Sequence, residues 1–140
     1  MECIFCKIVN KEIPAKIIAE NKGAIAFLDV NPMSDGHTVV VPKKHVVDLS
    51  HCDSETLHDV FDLVKKVSLI IQDSVLTPWG FNYLSNEAPI AGQVVMHFHV
   101  HVIPKYGKEE GFKIGIGHKY LDNIEKVYSQ LGKSKFKKKP

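Results

Sequence analysis

The sequence predicts an α+β fold, a mostly antiparallel five-stranded sheet with one long helix and a C-terminal helix, and three observations predict it. Residues 15–20 and 24–30 are β-prone runs separated by Asn21-Lys22-Gly23, the composition of a hairpin turn. Leu57, Val60, Phe61, Val64, Val67, Ile70 and Ile71 recur at helical spacing, giving an apolar face wide enough to lie on a sheet. Residues 97–103, His-Phe-His-Val-His-Val-Ile, alternate with the period of a strand.

In chain order, residues 3–10 form a short mixed segment holding Cys3-x-x-Cys6, and Pro14 closes it. The hairpin follows, then a loop of turn formers at residues 31–36 that delivers the chain into a third strand, residues 37–42, ended by Pro42. Residues 43–49 lead to the long helix, which should start near Asp53 or Ser54, either able to cap its first turn, and stop at Thr77-Pro78. Residues 81–85 read as a fourth strand, residues 86–93 as a loop with Pro89 and Gly92, and the histidine run as a fifth strand. A second helix is expected around residues 120–131, with Leu121, Ile124, Val127, Tyr128 and Leu131 on one side. Residues 1–131 therefore read as one domain and residues 132–140 as a flexible lysine-rich tail.

All 18 basic residues are lysine, so any bound phosphate must be gripped without the bidentate guanidinium fork. The formal charge of +2 owes its sign to five lysines in the last eight residues, and the body is mildly acidic. A specific nucleic-acid partner is not expected, since a duplex-binding domain needs a basic face across the fold. The N-terminus lacks a signal peptide, no segment is apolar enough to span a membrane, and three cysteines with no sign of secretion suggest the cytoplasm.

On a strand, His97, His99 and His101 share one face at roughly 7 Å between neighbours, while Phe98, Val100 and Val102 point into a core. Three readings compete: satisfied structural histidines, a three-histidine metal site, and nucleophilic catalysis at phosphorus. Three imidazoles on one straight strand converge poorly on a single ion. A neutral imidazole can instead attack phosphorus while a neighbour handles protons and N–H donors steady the oxygens. Asn86, Gly92 and Gln93 lie just upstream, and His37 opens a strand after a glycine, which together describe an arginine-free phosphate pocket.

Residues 97–103 resemble the histidine triad of the HIT superfamily, His-φ-His-φ-His-φ-φ with φ apolar, at every position. Residues 4–8, 12–15 and 26–29, His37 with residues 41–45, and residues 86–93 are similar to successive landmarks of its Hint-like and bacterial members. The resemblance implies a nucleotide hydrolase acting at the α-phosphorus of nucleoside 5′-phosphoramidates or related purine nucleotides and releasing a nucleoside monophosphate such as AMP. It makes His99 the nucleophile that carries a nucleotidyl intermediate, His101 its partner at a phosphate oxygen or the leaving group, and His37 a proton relay. His97 would buttress the strand, Asn86 and Gln93 would contact phosphate, Asp29 the ribose, and Ile8, Phe27 and Val30 the base. A homodimer with its sheets joined edge to edge is also implied. The alternatives are a dinucleoside polyphosphate hydrolase and a nucleotide-binding scaffold with incidental hydrolysis.

Three positions depart from the pattern. Val94 stands where many members place a hydroxyl, Lys105 where bacterial members often have arginine, and the C-terminal helix and tail differ from the short Hint-type ending. Cys3-x-x-Cys6 reads as core thiols, a redox pair or half a zinc site. By resemblance to the bacterial subset, His45 and His97 complete a structural Cys3, Cys6, His45, His97 zinc site. His51 with Cys52 is a weaker pair, and His58 and His118 are expected to face solvent.

Overall fold

Alternation along the chain decides which side of the sheet each residue serves. In the computed structural model, which describes residues 2–136, the five strands are β1 (Ile17–Glu20), β2 (Ala24–Leu28), β3 (Thr38–Pro42), β4 (Gly80–Leu84) and β5 (Val100–Lys105). They form one antiparallel sheet in the order β1-β2-β3-β5-β4. Asn21 makes the β1–β2 turn, its Oδ1 accepting from the N–H groups of Gly23 and Ala24.

Both faces are covered. Ala24, Ala26, Val40, Val100 and Val102 point to one side and pack with Phe98 against helix α2 (Ser54–Gln72), while Ile25, Phe27, Val39 and Val41 point to the other and pack against helix α1 (Ile4–Val9). The α1 helix (Ile4–Val9) occupies the segment that the sequence left as short and mixed. Its N-cap is Cys3, whose Sγ lies 3.4 Å from the Cys6 N–H, a cap that a search for Ser, Thr, Asp or Asn overlooks.

The long helix α2 (Ser54–Gln72) begins where expected, with the Asp53 carboxylate accepting from Thr56 N–H. Lys44 pairs with Asp53 at 2.7 Å and holds its carboxyl down to about 2. The helix ends before Thr77-Pro78 because the Ser74 hydroxyl donates to the Ile71 carbonyl at 2.6 Å, taking a final-turn acceptor. Its sheet-facing stripe is Val60, Leu63, Val64, Val67 and Ile71, whereas Phe61 and Ile70 lie outward.

The fifth strand begins only at Val100, so His97 and His99 precede it. The last helix, α3 (Ile124–Leu131), starts later than expected, capped by Asn123, and Leu121, Ile124, Tyr128 and Leu131 on it and just before it are exposed. Of the expected tail, residues 137–140 lie outside the described residues.

Candidate functional site

The three histidines lie on the α1 side of the sheet, because Phe98, Val100 and Val102 commit the other side to the α2 core. They do not keep strand spacing. The His99 and His101 rings lean together to 4.9 Å between centroids, nearly perpendicular, instead of the roughly 7 Å of an extended strand. Phe5 on α1 meets the His99 ring at 5.1 Å, again near-perpendicular, and the Ser85 hydroxyl donates to the His99 carbonyl at 2.8 Å.

Hydrogen bonds to groups that can only donate or only accept settle the proton positions. The His97 carbonyl, an acceptor, lies 2.7 Å from His99 Nδ1, so Nδ1 carries the hydrogen and Nε2 presents a lone pair. The Met33 backbone N–H, a donor, reaches His37 Nδ1 at 3.0 Å. Neutral His37 therefore holds its hydrogen on Nε2 and donates it to His101 Nδ1 at 2.9 Å. His101 is left with its own hydrogen on Nε2. One ring offers a lone pair and its neighbour offers an N–H.

Burial favours the neutral form of all three rings. Desolvation pushes the His99 pKa below its ordinary value, opposed by the bond to the His97 carbonyl and the charge of Asp29. His101 falls to about 4, through burial first and then the neighbouring imidazoles of His99 and His37. His37 is lowered by burial, with Asp29 pulling the other way from 3.6 Å.

His99 and His101 open onto a cavity of about 410 Å³ lined also by Ile4, Phe5, Asp29, Asn31, Met33, Val39, Leu84, Asn86, Gly92, Val94 and Val95. Asp29 and Asn86 thus join the two histidines, as the sequence leads one to expect, and His37 stands one bond behind. Gly92 sits at φ +103°, and a Cβ there would fall 2.9 Å from the Asn86 amide nitrogen. Only glycine lets that amide lie where it does.

Four expected contacts are placed elsewhere. Ile8 and Phe27 are buried between sheet and α1, Phe27 behind Phe5 at 5.5 Å, and neither borders the cavity. Val30 is 89% exposed on the loop after β2. The Gln93 side chain is 4% exposed and turned inward, its Oε1 accepting from Ala88 N–H and its Nε2 donating to the Val47 and Val95 carbonyls. The apolar wall comes instead from Ile4, Phe5, Met33, Leu84, Val94 and Val95. Phe5 had a signal, a large apolar residue between the two cysteines, whereas Met33 in a turn-rich loop had none.

Cys3, Cys6, His45 and His97 converge, with one ligand atom from each within 4.8 Å of all the others. Cys3 Sγ is 3.4 Å and Cys6 Sγ 3.6 Å from His97 Nδ1, Cys6 Sγ is 3.3 Å from His45 Nδ1, and the two Nδ1 atoms are 3.2 Å apart. A tetrahedral ion with bonds of about 2.3 Å to sulfur and about 2.0–2.1 Å to nitrogen spaces its ligands by roughly 3.3–3.8 Å. The donor set therefore fits a metal ion. His97 Nε2–H donates to the Pro42 carbonyl at 2.9 Å, which leaves Nδ1 free to ligate. Burial raises the Cys6 thiol, so a cation is needed to hold it as thiolate. His51 is bound to Asp48 at 2.6 Å instead of to Cys52, and His58 and His118 face solvent.

The chain has counterparts among known proteins. A HIT-like protein of Mycoplasma genitalium is 47% identical over 133 residues, 95% of this chain and 94% of that one. An adenosine 5′-monophosphoramidase of Schizosaccharomyces pombe is 42% identical over 115 residues, 82% of this chain and 83% of its own. The crystal structure of a HIT-family protein of Bacillus subtilis superposes with a TM-score of 0.86 at 35% identity, covering 95% of this chain and 96% of that one. The HIT domain model matches residues 10–108, and the chain belongs to the HIT family.

Proposed function

We propose that this protein hydrolyses nucleoside 5′-phosphoramidates or related substituted purine nucleotides at the α-phosphorus, through a nucleotidyl intermediate on His99, and releases a nucleoside monophosphate such as AMP. The observation that carries the reading is the pairing in one cavity of a lone pair on His99 Nε2 with an N–H on His101 Nε2. The names of the fission-yeast relative and of its counterparts in Candida albicans and Saccharomyces cerevisiae, both adenosine 5′-monophosphoramidases, support the substrate class.

Phosphate charge entering the cavity favours one added proton on the His101–His37 pair. His99 Nε2 then forms a bond to phosphorus as the bond from phosphorus to the leaving nitrogen breaks, and that nitrogen takes the proton from His101 Nε2. The pair is then neutral, with a lone pair on His101 Nε2 where the free enzyme carries a hydrogen. In the second half, water attacks phosphorus, its proton passes to the pair, and His99 leaves with its lone pair restored. Asn86 contacts the phosphate oxygens, and the Asp29 carboxylate, already accepting from Asn31 N–H, accepts from the ribose hydroxyls.

The Cys3, Cys6, His45, His97 set is assigned to zinc, which when bound supplies a structural cross-link between α1 and the histidine run. Residues 1–131 act as one domain, and a homodimer is assigned through β4, an outer strand of the sheet. Among the described residues no helix is long and apolar enough to cross a membrane, and a cytoplasmic setting accords with the free thiols.

Intact-mass analysis after brief mixing with adenosine 5′-phosphoramidate tests the reading. An adenylyl adduct on the wild type and none on His99→Ala is expected; turnover that survives His99→Ala overturns the nucleophile. Faster turnover of a diadenosine polyphosphate would move the assignment to that substrate class.

A further inference from the structure

We propose that Gln93 is a positioning residue, fixing the loop that carries Asn86 into the cavity without itself touching phosphate; this rests on the hydrolase reading above. The loop between β4 and the histidine run folds back through reciprocal bonds across its mouth. Ala88 N–H donates to Gln93 Oε1 at 2.8 Å, and Gln93 N–H donates to the Ala88 carbonyl at 3.1 Å. These hold Ala88 at φ +78°, a conformation a non-glycine residue adopts only under constraint. The side-chain Nε2 of Gln93 donates twice, to the Val47 carbonyl at 2.7 Å and the Val95 carbonyl at 3.1 Å.

Val47 belongs to a segment that braces the whole site. His45 faces the cysteine pair, the Val46 carbonyl accepts from Phe98 N–H at 2.6 Å, and Ser50 donates from both its N–H and its hydroxyl to Glu87. Gln93 and Glu87 thus tie two ends of the loop to one strut. Between them Asn86 meets Gly92, where no side chain fits, and both line the cavity. A side chain with both donors and its acceptor bonded, and 4% exposed, has no group left for a substrate oxygen. Asn86, half-buried and at the cavity wall, is the group the loop delivers.

A double-mutant cycle on kcat/KM for adenosine 5′-phosphoramidate separates positioning from contact. Gln93→Ala and Asn86→Ala should each lower it by about tenfold, the order expected for one lost charge-assisted hydrogen bond, and the double variant should fall no more than about threefold below the weaker single one. Multiplying effects, roughly 100-fold in the double variant, would show two independent contacts and overturn the proposal. Amide exchange supplies a second readout on the wild-type protein. Ala88 N–H should be protected with and without AMP and lose protection in Gln93→Ala. Free exchange in the wild type, or deprotection when AMP is added, would mean that the side chain leaves the loop, and overturns the proposal without bearing on the His99 adduct.

Discussion

His97 faces two ways. Its carbonyl holds His99 Nδ1–H at 2.7 Å, and its own Nδ1 lies 3.4 Å from Cys3 Sγ. The group that fixes the tautomer of the proposed nucleophile is therefore the backbone of a residue whose ring sits in the cysteine–histidine cluster. Phe5, between Cys3 and Cys6 on α1, adds a second link by packing against both rings.

Stripping metal from the proposed zinc site should therefore loosen the nucleophile as well as the N-terminus. Prolonged treatment with a strong chelator is expected to lower Tm by about 10 °C and to slow adduct formation on His99 about tenfold, as loss of ligand support does elsewhere. Cys6→Ser should purify without stoichiometric zinc and show no further response to the chelator. A wild-type protein that contains zinc yet keeps its Tm and its adduct rate when stripped would break the link between cluster and site.

The pH dependence of stability has a definite sign. His101 has a folded pKa of about 4 against an ordinary 6.5, so between these values the unfolded chain binds more protons. Its contribution is complete above about pH 6.5 and is lost as pH falls toward about 4. The groups facing it are His99, His37 and Asp29, and His37 is displaced in the same direction. Urea denaturation should show wild type losing about 2 kcal/mol between pH 7 and pH 5 from His101 alone, with His101→Gln losing correspondingly less. Parallel curves for the two proteins would show that His101 titrates normally.

The alternation that singles out His97, His99 and His101 survives intact in the fold, because burial of Phe98, Val100 and Val102 under α2 enforces it. That the ladder starts only at Val100 was not legible there. Pairing depends on where β4 and β3 leave β5: β4 ends at Leu84, opposite His101, and the last β3 partner is Val40, opposite Val100. The same limit applies to α2, where Leu63 replaces Phe61 and Ile70 in the core: period shows the apolar arc, and the sheet's position selects within it. Asn86 and His37 could be named from their chemistry around the histidine run, and Asp29 from the family resemblance. Gln93 has the same chemistry, but the partners that occupy its amide come from Val47 and Ala88, which no local pattern connects to it.

Gly92→Ala should act on Asn86. The backbone lies at φ +103° and the added Cβ meets the Asn86 amide at 2.9 Å, so strain and a displaced side chain combine. A stability loss of about 1–3 kcal/mol is expected from the backbone alone. KM for the phosphoramidate should rise while the Ala88 amide stays protected, because Gln93 keeps its bonds. Unchanged KM would mean that the loop absorbs the methyl group without moving Asn86.

The proton arrangement predicts that the importance of His101 depends on what departs. An amine leaving phosphorus needs a proton in the transition state, and His101 Nε2 is the N–H beside the His99 lone pair. His101→Ala should thus lower kcat for adenosine 5′-phosphoramidate by about 10²–10⁴-fold, the usual range for a lost general acid. A leaving group stable as an anion, such as p-nitrophenolate on the same nucleotide, needs no proton and should lose far less in the same variant. His99→Ala should abolish turnover of both, since either leaving group departs only as His99 bonds to phosphorus. If His101→Ala slows the two substrates by the same factor, His101 binds the phosphate oxygens in both reactions and the acid lies elsewhere.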